Sequence, residues 1–133
     1  MRTLFQTIKQ QVLEGNDLVL ASITASSGST PRGAGSRMLI GKSGRIAGTI
    51  GGGAVEYRAE LMAQDILEKK ESCEHEFRLN RKDVENIGMI CGGDVTVFFQ
   101  YLDHNDPIIS EITETAAKSY EERKDFWLIC DLK

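Results

Sequence analysis

A chain of 133 residues with 41% hydrophobic content can bury one ordinary core, and its length favours a single domain. A formal net charge of −4 argues against a nucleic-acid binder, because such proteins carry a broad basic face. The apolar runs fall far short of the roughly 20 residues needed to cross a bilayer, and the opening MRTLFQTIKQ lacks the apolar block of a signal peptide, so the chain reads as a cytosolic protein with no membrane partner.

In chain order, residues 3–14 place Leu4, Phe5, Ile8, Val12 and Leu13 on one helical face, and Gly15-Asn16 supply the stop. Residues 17–25, DLVLASITA, are apolar at both parities, the pattern of a strand covered on both faces. Residues 26–35 consist almost wholly of loop formers. Two short strands at 36–41 and 45–50 flank Lys42-Ser43-Gly44 and read as a hairpin. After the glycine run 51–53, a helix is predicted from residue 54, with Val55, Ala59, Met62, Ala63, Ile66 and Leu67 inward. Strands at 73–80 and 94–102 bracket a loop-like interval that ends in Cys-Gly-Gly. Pro107 opens a helix to about Glu122 with Ile108, Ile112, Thr115 and Ala116 inward, and FWLICDL, 126–132, reads as a buried strand. No internal linker or repeat interrupts this order, which predicts an α/β fold: a mixed sheet layered with helices, with Gly-rich strand-to-helix turns, in one domain over residues 1–133.

The acidic average hides a split. Residues 1–53 carry six Lys or Arg against two acids, a net of +4, so the remainder carries −8, and the glycines crowd into the basic part. That combination suits a small anionic ligand better than a polymer. Within it, SSGSTPRGAGSR, 26–37, offers hydroxyls including Ser29 and Thr30, the guanidinium groups of Arg32 and Arg37, and glycines through which backbone N–H groups can approach a phosphate. A solvated loop of structural turns is the competing reading. In GTIGGGAVE, 48–56, a strand runs through Gly51, Gly52 and Gly53 straight into a helix, the arrangement that offers helix N-terminal N–H groups to an anion. It is not the dinucleotide fingerprint, because Glu56 stands where the third glycine belongs, and that acid also complements the helix dipole. In NIGMICGGDV, 86–95, Cys91 precedes Gly92 and Gly93; flexible backbone can stabilise a thiolate as nucleophile, persulfide carrier or soft-metal ligand, although a lone cysteine also serves as a small buried apolar group. Cys73 and Cys130 fit that plainer role, and three cysteines without a CxxC pair indicate neither a disulfide framework nor a four-ligand zinc site. His75 and His104 stand in separate polar contexts with no metal-ligand spacing and read as surface residues. No catalytic triad is indicated.

In order and spacing, SSGSTPRGAGSRMLI, GTIGGGAVE and GMICGGDVTVFF resemble the XdhC/CoxI family over about residues 10–102. The resemblance implies a maturation factor that binds the molybdenum cofactor (molybdopterin), holds it while a cysteine desulfurase supplies a terminal sulfur, and delivers it to an apo molybdenum hydroxylase such as xanthine dehydrogenase. It implies a homodimer, a cofactor site of Ser29, Thr30, Arg32, Arg37, Gly51–Gly53, Cys91, Gly92 and Gly93, and molybdenum near Cys91. Family members typically continue into a Rossmann-like domain, and nothing follows Lys133 here, so the expected unit is the family's front domain alone. A Cys91-dependent sulfur- or nucleotidyl-transfer enzyme, which needs a general base beside the thiol, and an interaction or dimerisation module with purely structural glycine loops stand as the alternative readings.

Overall fold

The computed structural model describes residues 3–27, 33–78, 93–126 and 128–129. Its elements run α1 (Leu4–Leu13), β1 (Leu18–Ser27), β2 (Arg37–Gly41), β3 (Gly44–Gly48), α2 (Gly53–Lys69), β4 (Cys73–Arg78), β5 (Asp94–Leu102) and α3 (Pro107–Glu121). The five strands form one sheet in the order β3-β2-β1-β5-β4. The α/β layering is as predicted, but the sheet, expected to be mixed, is antiparallel in every described strand pair, because no crossover joins two neighbouring strands in the same direction.

Side chains explain where the helices begin. Thr3 caps α1 through a reciprocal box with Gln6: Gln6 N–H donates to Thr3 Oγ1 at 3.2 Å and Thr3 N–H to Gln6 Oε1 at 2.8 Å. Asp106 accepts from the Ile108 amide at 2.9 Å, and Pro107 fills the first position of α3, where its missing N–H costs nothing.

Strand alternation then divides the core in two. Val19, Ala21 and Ile23 of β1 join Met38, Ile40, Val95, Val97 and Phe99 beneath α2, which contributes Val55, Ala59, Ala63 and Ile66. Leu18 and Leu20 point the other way, to Leu39, Leu102 and the Ile8 and Val12 face of α1. The central strand is therefore covered on both faces, as its doubly apolar sequence implies.

Four further expectations change. Strand β1 runs on to Ser27, because Ala25, Ser26 and Ser27 pair with Thr96, Val95 and Asp94 of β5; serines that look like loop formers are held by ladder hydrogen bonds. In α3 the buried stripe is Thr113, Ala116 and Ala117, with Ile109 partly buried, whereas Ile108, Ile112 and Thr115 are exposed. The small residues face α1, and the Thr113 hydroxyl donates to the Ile109 and Ser110 carbonyls, which satisfies it in place. Leu13, predicted inward, is exposed beside the glycine stop. The predicted final strand is also not formed at its described residues 126, 128 and 129: Phe126 meets Phe5 of α1 edge to face at 5.9 Å, and the rest of 126–132 lies outside the described residues.

Candidate functional site at the loop end of the sheet

The register sets the strand ends that flank the three motif segments side by side. Ser27 pairs with Asp94, Asp94 with Arg78, and Met38 with Gly48, so Ser27, Arg37, Gly48, Arg78 and Asp94 all stand at the same end of the sheet. Nothing in the linear sequence places Gly51 and Gly93 at one end of one sheet; antiparallel pairing does.

The glycine turn is shaped by backbone geometry. Gly51, Gly52 and Gly53 all have positive φ, at 121°, 74° and 63°, and Gly52, with ψ −166°, lies in a region open essentially to glycine alone. Just before them, a Cβ on Gly48 would stand 2.3 Å from the Arg37 carbonyl oxygen. Glu56, only 8% exposed, turns back onto this loop: its Oε2 accepts from the Thr49 hydroxyl at 2.7 Å and the Gly52 amide at 2.6 Å, and its Oε1 lies 3.2 Å from Nε of half-exposed Arg45. Gly51 N–H donates to Thr49 Oγ1 at 3.1 Å. The amides of Gly51 and Gly52, read from sequence as free donors for an anion, are thus already engaged, and an internal carboxylate sits at the positive end of α2.

Arg37 opens β2 opposite Ser22, half-buried. By alternation it shares the face of Leu39, away from α2. Its Nε is buried and has no hydrogen-bond partner among the described residues. A buried N–H without an acceptor costs about 1–3 kcal/mol, and more on a charged group, so this position favours an arriving anion. Gly33 and Gly35 in the preceding loop face open space. Gly93 is buried at the entry to β5. Ser29, Thr30, Arg32, Cys91 and Gly92 lie outside the described residues, as does Cys130. Cys73, expected as a small buried apolar group, is instead exposed at the start of the outermost strand β4; its thiol is pushed up by partial burial of the sulfur and by the charge of Asp65, which disfavours the reactive thiolate.

The opposite end of the sheet holds a constellation that the sequence does not announce. Asp17 Oδ2 accepts from the Tyr101 hydroxyl at 2.6 Å, while Oδ1 accepts from the His104 amide at 3.0 Å and stands 2.5 Å from His104 Nδ1. Burial works to raise the Asp17 carboxyl, but these hydrogen bonds outweigh it and hold it at about 2; burial and Asp17 push the Tyr101 phenol well up. His104, read from sequence as a surface residue, is therefore tethered. The 87-residue separation of its partner gives no local signal, and only the pairing of Leu18 with Leu102 brings the two together. A cavity of about 750 Å³ lies here, lined by Asp17, His104, Lys42, Ser43, Gln64 and Glu68 among others. A smaller apolar cavity of about 140 Å³ lies under α3. Among the described residues, no helix is long and apolar enough to cross a membrane.

A family model described as the XdhC and CoxI family matches residues 12–78, from the end of α1 through β4. The matched span includes the serine-rich loop and the glycine turn and stops before the Cys91 block. An uncharacterized protein of Escherichia coli (strain K12), YqeB, is 41% identical over 80 residues, which is 59% of this chain and 14% of that protein. The chain thus spans a small part of that relative. A Bacillus halodurans crystal structure titled a xanthine dehydrogenase superposes with a TM-score of 0.69 at 17% identity, covering 86% of this chain and 35% of the other. At that identity the likeness speaks for the fold alone.

Proposed function

The chain belongs to the XdhC/CoxI family, and from that premise we propose that it serves the maturation of a molybdenum hydroxylase by holding the molybdenum cofactor at the loop end of its sheet. The observation that carries this reading is Arg37 at the loop end of the sheet, whose buried Nε has no acceptor among the described residues, with Gly48 and Gly93 at the same end.

The fit is chemical. The cofactor's phosphate needs cationic donors and close backbone approach; Arg37, with Arg32 in the adjoining loop, supplies the first, and Gly33 and Gly35 the second. Cys91, in the third segment, is the soft donor suited to molybdenum. Gly51 and Gly52 act by conformation: their amides are held by Thr49 and Glu56, so they fix the shape of the seat while the arginines bear the charge. Glu56 repels a second anion from the N-terminus of α2, which directs phosphate toward Arg37. When bound, the cofactor supplies the metal chemistry of the recipient enzyme, and for this chain it is cargo. On the same reading, a cysteine desulfurase supplies sulfur, an apo molybdenum hydroxylase receives the cofactor, and the chain works as a homodimer.

Anaerobic titration of the purified chain with molybdenum cofactor tests this. Wild type is expected to bind at micromolar or tighter concentration, and Arg37→Ala and Cys91→Ala to weaken binding about tenfold each, equivalent to roughly 1.4 kcal/mol, with circular dichroism unchanged. Binding by both variants at wild-type strength, or no binding by a folded wild-type chain, would refute it.

A further inference from the structure

We propose that Asp17, Asp103 and His104 form a binding site for one divalent transition-metal cation, open to the cavity at the end of the sheet opposite the loops. It is independent of the cofactor reading, since it shares no residue with Arg37 or the glycine turn.

Two carboxylates and an imidazole each direct a ligand atom into one spot, all within 4.8 Å of one another. His104 Nδ1 lies 2.5 Å from Asp17 Oδ1 and 4.0 Å from Asp103 Oδ1. Around a four-coordinate metal with bonds of about 2.0–2.2 Å, ligand atoms stand about 3.3–3.5 Å apart, between those two separations. Seating an ion needs the closer pair to open, and the wider to close, by less than about 1 Å. Asp103 and His104 lie in the turn between β5 and α3, where Asp103 Oδ1 accepts from the Asn105 amide at 2.9 Å and keeps a second lone pair for an ion. The Tyr101 hydroxyl holds the far oxygen of Asp17 and leaves the near one aimed at the imidazole, the outer support that metal-ligating carboxylates characteristically have.

Charge and access agree with this geometry. Two adjacent acids face one imidazole, a negative field that a divalent ion neutralises. The ligands are 24–44% exposed, so they are partly desolvated yet reachable, and the cavity of about 750 Å³ leaves room for water or a small ligand at the remaining coordination positions. Two oxygens and one nitrogen suit zinc, manganese or cobalt. His104 Nδ1 faces Asp17 Oδ1 at hydrogen-bond distance. An ion bound at Nδ1 takes its lone pair and leaves the ring proton on Nε2, so the nitrogen that carries the proton reports binding.

The test is titration of the full chain with cobalt(II) under reducing conditions, followed by visible absorption, which separates nitrogen and oxygen ligation from thiolate ligation, and by nitrogen NMR of the histidines. One equivalent is expected to bind with a thiolate-free spectrum and to leave the His104 ring proton on Nε2; Asp103→Asn and His104→Gln should each weaken binding by about tenfold or more. Asp103→Asn is the decisive variant, because it leaves the Asp17 bonds to Tyr101 and the His104 amide intact. No binding, equal binding in both variants, or a thiolate spectrum that survives them would overturn the proposal and leave Asp17 and His104 as a structural tie.

Discussion

Truncating Glu56 to alanine tests how the turn into α2 is held. The carboxylate accepts two hydrogen bonds, from Thr49 Oγ1 at 2.7 Å and the Gly52 amide at 2.6 Å, and bonds to a charged acceptor contribute about 1.5–3 kcal/mol each. Their loss is partly offset, because a nearly buried carboxylate no longer has to be kept out of water, which leaves a net destabilisation of about 2–3 kcal/mol. For a domain of this length, that is a fall in Tm of about 6–15 °C. Glu56→Gln keeps the shape and one acceptor oxygen and gives up chiefly the ion pair to Arg45, which is half exposed and therefore contributes about 0–1 kcal/mol. Urea unfolding at low and high salt, analysed as a two-state transition, measures both variants. The glutamine variant should be the milder, and its deficit should shrink with salt. Equal losses in the two variants would mean that charge, not hydrogen bonding, fixes the turn; an undiminished Tm in the alanine variant would refute the account of α2 outright.

Three further outcomes follow from the geometry. Gly48→Ala should cost at least about 2 kcal/mol, since its Cβ meets the Arg37 carbonyl at positive φ, while Gly33→Ala, in open space, should stay within about 0.5 kcal/mol; chemical denaturation of the pair separates clash from composition. Asp17, with a folded value of about 2 against 3.8 unfolded, stabilises the fold fully above pH 4 and loses that contribution as the pH falls toward 2. Asp17→Asn should therefore be less stable at neutral pH and flatten the acid limb of the stability curve, and an unchanged acid limb would contradict the tether. In α3, Ile109→Ala should cost about 1–3 kcal/mol and Ile108→Ala within about 0.5 kcal/mol, and the reverse order would restore the helix phase read from sequence.

Local chemistry determined much of this protein. The Thr3 and Gln6 pair, Asp106-Pro107 and the Gly15 stop mark helix ends within a few residues, because capping is satisfied by neighbours in sequence. The apolar run of β1 announces a strand covered on both faces, and the apolar spacing of α2 announces its buried stripe. The motif segments were recognisable for the same reason, and they carried the family resemblance that the match over residues 12–78 bears out.

Tertiary structure decided the rest. Ser26 and Ser27 become strand because β5 offers them a ladder, a long-range hydrogen bond that overrides loop propensity. The inward face of α3 is chosen by the close approach of α1, which selects Thr113, Ala116 and Ala117 over the larger Ile108 and Ile112. Phe126, beyond α3, rests on Phe5 of α1. Above all, the antiparallel order β3-β2-β1-β5-β4 sets the strand ends that flank the motif segments at one end of the sheet and the Asp17, Tyr101 and His104 constellation at the other. Residue type and spacing encode which groups can bind an anion or a metal; which of them meet depends on strand pairing across tens of residues, and that is settled when the core is buried.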